Sequence, residues 1–120
     1  MKVIIAGSRT ITDENIVREA LGKAGLSAQD ITEVVSGGAK GVDLLGKKIA
    51  EYHAIPIKKF PADWDKHGKA AGAIRNSQMA QYADMLVAVW DGESKGTKDM
   101  IRKIRNMMKE YYVYFVTKAN

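Results

Sequence analysis

The stretch Met85-Leu86-Val87-Ala88-Val89-Trp90, running straight into Asp91-Gly92-Glu93-Ser94-Lys95-Gly96-Thr97, decides the fold. Six consecutive apolar residues without helical spacing describe a strand covered on both faces, which is a central position in a parallel sheet. The glycine-containing loop that follows leads into an amphipathic segment carrying Met100, Ile101, Ile104, Met107 and Met108 on one side, with Thr97 as its predicted N-cap. Strand, glycine loop and helix in that order form half of a βαβ unit.

The same grammar repeats on either side. Val3-Ile4-Ile5-Ala6 is a first strand, and Ile16, Val17, Ala20, Leu21 and Ala24 paint one face of a helix beginning near Thr12. Ile31 to Ser36 reads as a second strand, and Val42, Leu45, Ile49 and Ala50 again form a single stripe. The third strand is Ile55 to Phe60, where Pro56 and two consecutive lysines point to a sheet edge. The polar stretch Ala62 to Lys69 leads into a helix from about Ala71 to Tyr82, and Tyr112 to Val116 is a fifth strand.

Five strands alternating with four helices require right-handed crossovers, so the prediction is one Rossmann-like α/β domain over residues 1–120. Its five-stranded parallel sheet is doubly wound, with helices on both faces. With the third strand at an edge, the simplest strand order is 3-2-1-4-5, and winding reverses between strands one and four. The loops Gly7-Ser8-Arg9-Thr10 and Asp91 to Thr97 then meet at that crevice.

Composition narrows the function classes. A chain of 120 residues buries enough surface to fold without staples, and the absence of cysteine removes disulfides and thiolate metal sites. His53 and His67 are isolated, so no metal and no cofactor is expected; His53 reads as structural. The N-terminal apolar run is too short for a signal or a membrane span, which suits a cytoplasmic protein with no membrane partner. The formal charge of +5 favours anionic partners, but the lysines are spread along the chain, more like a solvated surface than a nucleic-acid track.

The candidate site lies in the loops. Ser36-Gly37-Gly38-Ala39-Lys40-Gly41-Val42-Asp43 follows a strand and opens a helix, where free N–H groups and a partial positive charge suit a phosphate. Its glycines allow a close backbone approach, Lys40 adds a mobile charge, and Ser36 offers a hydroxyl. Tight turns alone would also account for these glycines. Neither the P-loop spacing nor the dinucleotide fingerprint is present. Arg9 is a bidentate anion clamp at the switch point, with Gly7, Ser8 and Thr10 around it. Arg75 and Asn76 are expected to face the same crevice, and Asp91, Gly92, Lys95, Gly96 and Thr97 complete it. Trp64 could stack a base, or pack against the neighbouring helix. The apolar fifth strand, YVYFV, suits burial in a homodimer or under a covering helix.

Together, GSRT, VVSGGAKGVDLLGKKIAEYHAIP and AGAIRNSQMAQYADMLVAVWDGESKGT resemble the SLOG superfamily, most closely its small YspA-like branch, over nearly the whole chain. The resemblance implies a Rossmann-like domain that senses or processes a nucleotide-derived small molecule at the strand C-termini. Two relatives extend this. LOG-type phosphoribohydrolases carry an arginine matched by Arg75 and an acidic residue near Asp99, which makes these two the catalytic candidates of an N-glycosidase. In place of their PGG start this chain has Asp91-Gly92-Glu93. DNA-processing-A proteins, which bind single-stranded DNA, share the GSR loop and a loop like Ser36 to Asp43. Nucleotide binding without turnover is the leading expectation, N-glycosidic hydrolysis of nucleoside monophosphates the second, and single-stranded nucleic-acid binding the third.

Overall fold

The computed structural model describes residues 1–117. Five parallel strands, β1 (Lys2–Gly7), β2 (Glu33–Ser36), β3 (Ile57–Lys59), β4 (Met85–Trp90) and β5 (Glu110–Phe115), form one sheet in the order β3-β2-β1-β4-β5. The helices are α1 (Glu14–Lys23), α2 (Val42–Tyr52), α3 (Trp64–His67), α4 (Ala71–Tyr82) and α5 (Lys95–Asn106). This is the α/β, Rossmann-like, doubly wound arrangement that the alternation of apolar runs predicts. None of the helices is long and apolar enough to cross a membrane.

Strand periodicity of two sorts the central side chains onto two cores. On one face Val3, Ile5, Val34, Val87 and Val89 pack with Val17 and Leu21 of α1 and with Leu45 and Ile49 of α2. On the other, Ile4, Ala6, Val35, Leu86 and Ala88 meet Met79 and Ala80 of α4 and Met100 and Ile104 of α5. The unbroken apolar run of β4 is thus explained: both of its faces are covered. Helix pairs α1–α2 and α4–α5 leave the sheet in opposite directions from β1 and β4, which opens the crevice between those strands at their C-terminal ends.

Several boundaries differ from those the sequence predicts, each for a local reason. β2 starts at Glu33 because a short 3-10 turn at Ala28–Asp30, boxed by Ser27 and Asp30, precedes it. β3 shrinks to three residues: the Ile55 N–H bonds back to Ala50 O of α2, and Pro56 has no N–H to give. The polar stretch folds into α3 and a 3-10 turn at Gly68–Ala70, with Asp63 capping α3 by accepting from Lys66 N. The cap of α5 is Ser94, not Thr97: Ser94 Oγ accepts from Thr97 N at 3.4 Å, and Thr97 is the buried third residue of the helix. Met107 and Met108 lie past the helix end instead of on its core stripe, and Met108, at φ 58°, is 93% exposed.

Gly7 shows how tightly the crevice strands approach. A Cβ there would sit 1.9 Å from Val89 O and 2.8 Å from Val42 Cγ2. Gly22, in the exposed face of α1, has nothing within 4 Å of the corresponding position. Gly7→Ala is therefore expected to destabilise by about 3 kcal/mol or more, whereas Gly22→Ala stabilises by about 0.5–1 kcal/mol. Urea unfolding of the two variants beside the parent checks both; equal midpoints for Gly7→Ala and the parent would contradict the packing.

Candidate functional site

The buried polar or charged residues among those described are Ser8, Ser36, Asp43, Asn76 and Thr97. All lie at the C-terminal ends of the strands or in the helices that start there, and every buried side-chain nitrogen or oxygen among the described residues has a partner. A core that is apolar elsewhere turns polar at one end of the sheet, where the loops cross.

Ser8 joins the three loops. Its N–H donates to Val89 O at 3.0 Å, its Oγ accepts from Asp91 N at 3.0 Å, and its carbonyl accepts from Val42 N at 3.3 Å. Gly41, the N-cap of α2, presses against the Ser8–Arg9 backbone: at φ 74° a Cβ would lie 2.4 Å from Ser8 O. Only glycine tolerates both that φ and that approach.

A second network holds the Ser36–Asp43 loop. Ser36 Oγ accepts from Gly38 N at 3.1 Å and Asp43 Oδ2 from Ala39 N at 3.2 Å. These two amides are thus satisfied inside the loop. Arg75 Nη1 donates to Gly37 O at 2.7 Å and its Nε to Asn76 Oδ1 at 3.1 Å. Asn76 Nδ2 in turn donates to Gly96 O at 3.2 Å and to Asp99 Oδ2 at 3.0 Å. The dipeptide Arg75-Asn76 therefore bridges the loop after β2 to the first turn of α5.

Over these networks lies a cavity of about 450 Å³ whose charged lining is Arg9, Asp43, Lys47, Lys59 and Arg75, with Trp64 on its wall. An inner recess of about 70 Å³ shares Arg9, Ala39, Asp43 and Arg75 with it and reaches Gly7, Asn76, Gly96 and Thr97. The structure thus gathers Gly7, Arg9, Ser36, Gly37, Gly38, Asp43, Arg75, Asn76, Gly96 and Thr97 of the predicted set around one connected space. Ser8 and Gly41 support it from behind. Lys40 is exposed and off the lining; Thr10 faces a separate groove beside Asp13 and Ile16; Lys95 lies along the outer side of α5. Asp91 and Gly92 form the turn before α5, where Asp91 Oδ1 accepts from Glu93 N at 2.8 Å and Ser94 N at 3.1 Å.

Lys47 and Lys59 are the cavity cations that the sequence reading missed. The signals for them are positional: Lys47 is four residues beyond Asp43 on α2, and Lys59 is the register partner of Ser36. The two carboxylates have opposite environments. Burial pushes Asp99 up, but hydrogen bonds from Lys103, Asn76 and Arg102 outweigh it and hold its carboxyl below the usual range. Asp99 lines neither the cavity nor the recess, and ion pairs with Arg102 at 2.8 Å and Lys103 at 2.9 Å engage both its oxygens.

Asp43 is inside. Burial pushes its carboxyl up to about 6, with the Ala39 amide, Arg75, the Gly7 amide and Arg9 pulling only partly back. The folded protein therefore holds this proton more tightly than the unfolded chain, whose carboxyl titrates near 3.8, and stability falls as pH rises through that interval, then levels. The loss amounts to about 3 kcal/mol. Asp43→Asn is expected to remove this slope and to be the more stable protein at neutral pH. Urea unfolding at pH values on both sides of the interval checks it; a variant whose pH dependence parallels the parent's would refute the assignment.

Comparison with known proteins agrees with this architecture. The model of the YspA, cpYpsA-related SLOG family matches residues 1–67, which carry β1, the Gly7–Thr10 loop and the Ser36–Asp43 loop. The chain is also 34% identical over 108 residues to the Gene 61 protein of Mycobacterium phage D29, covering 85% of this chain and 86% of that protein. No solved structure matches. The loops around Ser8 and Asp43, the sheet that carries them and the family match lead to one statement: the chain belongs to the YspA, cpYpsA-related SLOG family.

Proposed function

We propose that this protein binds a nucleotide or nucleotide-derived small molecule, with a phosphate against Arg9 and Arg75 beside Gly37 and Gly38, and the base along Trp64. One observation carries the reading. Arg9, Lys47, Lys59 and Arg75 converge on a single cavity, and none of the four pairs with a carboxylate within 4 Å among the described residues. Guanidinium and ammonium groups without a carboxylate partner, gathered around a concave site, recognise phosphate by charge-assisted, often bidentate, hydrogen bonds. The cavity volume, about 450 Å³, lies within the range of small-molecule sites. Trp64 is 55% exposed on the cavity wall, which leaves its ring face open to a base. Membership of the SLOG family supports nucleotide-related binding or processing in general terms.

The expected result is a rise in unfolding temperature with micromolar to millimolar AMP or ADP, because a ligand that binds only the native state stabilises it. Arg9→Ala should weaken binding by about 10- to 100-fold, the equivalent of one charge-assisted contact. Trp64→Leu should weaken nucleotides by about tenfold while leaving inorganic phosphate unaffected. The absence of any shift across a nucleoside mono- and diphosphate panel would reject the reading.

A second reading, N-glycosidic hydrolysis of a nucleoside monophosphate, is favoured by the placement of Asp43. A carboxyl titrating near 6 beside two guanidiniums is poised to donate or accept a proton near neutral pH, whereas Asp99 is engaged by three donors away from the cavity. Under this reading free base is released from AMP, the activity is lost in Asp43→Asn and retained in Asp99→Asn. Base release that persists in Asp43→Asn would dismiss the role.

A further inference from the structure

Two of the four cavity cations stand apart from the other two. Lys47 lies one turn beyond Asp43 along α2, about 6 Å up the axis. Lys59 ends β3, and its register partner is Ser36, whose hydroxyl braces the Gly37-Gly38 turn. The two lysines reach the cavity from different elements and meet there. Both lysines line the main cavity and neither lines the recess, and the neighbouring Lys47 holds the Lys59 ammonium below its ordinary value, with Glu51 opposing. Neither lysine has a carboxylate within 4 Å among the described residues. Two like charges on the wall of one cavity repel one another. A dianion seated between them relieves that repulsion.

Arg9 and Arg75 sit at the other end, where the main cavity passes into the inner recess. The basic lining is therefore divided into a guanidinium pair that borders both spaces and an ammonium pair that borders the main cavity alone. A phosphate seated against the guanidinium pair beside the recess leaves the ammonium pair of the main cavity to a second anionic group. Building on the nucleotide-binding reading above, we infer that the ligand carries two phosphoryl groups, the first held by Arg9 and Arg75 and the second by Lys47 and Lys59. The second group is either the β-phosphate of a nucleoside diphosphate or a separate phosphate on the same ribose. Both present the same dianionic chemistry to the lysines.

Calorimetric titration of the whole protein with AMP, ADP and adenosine 3′,5′-bisphosphate tests the inference. At least one of the two doubly phosphorylated nucleotides is expected to bind about tenfold or more tightly than AMP, and which of them does so identifies the linkage. In the Lys47→Gln, Lys59→Gln double variant that ratio should fall to about one, while Arg9→Ala should weaken AMP and the preferred ligand alike and leave the ratio in place. Circular dichroism and thermal unfolding establish that each variant is folded. If AMP binds as tightly as both others, or if the ratio survives the double lysine variant, the second phosphoryl site is overturned while the nucleotide-binding reading stands. If neither these three nor any member of the nucleoside mono- and diphosphate panel binds, both fail together.

Discussion

Ser8 is the joint on which the site hangs. The residue sits where β1 ends, 1% exposed, and three of its polar groups are each claimed by a different segment: its N–H by β4, its hydroxyl by the turn before α5, its carbonyl by the start of α2. Buried hydrogen-bonding groups are costly to leave unpaired, about 1–3 kcal/mol each. The three loops are thus obliged to keep their relative positions for reasons of stability before any ligand is considered. Gly7 and Gly41, which permit the backbones to come this close, are part of the same constraint. Preorganisation of this kind lowers the ordering cost of binding, since the loops need not be collected by the ligand.

The electrostatics of the crevice work against stability. Asp43 is buried in the first turn of α2, and its environment favours the neutral form over the carboxylate. Four cations line the cavity without ion pairs of their own among the described residues, and Lys47 holds Lys59 below its ordinary value. By contrast, charges on α5 and just after it are arranged for stability: Asp99 pairs with Arg102 and Lys103, and Lys109, between α5 and β5, caps the end of α4 by donating to the carbonyls of Ala80, Gln81 and Ala83. A fold that pairs its charges around one helix and leaves them unpaired around a cavity has concentrated its unfavourable terms at the C-terminal end of the sheet.

Much of the fold was legible because its signals are periodic. The six-residue run of β4 could only be a strand covered twice, and the edge position of β3 followed from Pro56 and Lys58-Lys59; those two constraints determine the strand order. Boundaries were less legible because they depend on single hydrogen bonds. Ser94 wins the cap of α5 from Thr97 through one hydroxyl contact, and Met107 and Met108 share the helical spacing of Met100 and Ile104 although the helix has already ended. The site was legible as far as loops following strands identify it. Lys47 and Lys59 were not, because each belongs to a regular element and reaches the cavity only through tertiary placement, one by helical pitch and the other by strand register.

The same distinction bears on Asp99. The resemblance to LOG-type enzymes makes Asp99 the acidic candidate, and Asn76, which lines the recess, does touch it. What differs is direction. Asn76 Nδ2 reaches Asp99 Oδ2 from the crevice side while Arg102 and Lys103 engage the carboxylate from α5 itself, so the charge is drawn along the helix and away from the cavity. Through Asn76, Asp99 still acts on the site, because the amide that contacts it also presents its oxygen to Arg75 Nε. Asp99 thus stands at the end of a hydrogen-bonded chain that runs through Asn76 to the guanidinium bonded to Gly37 O.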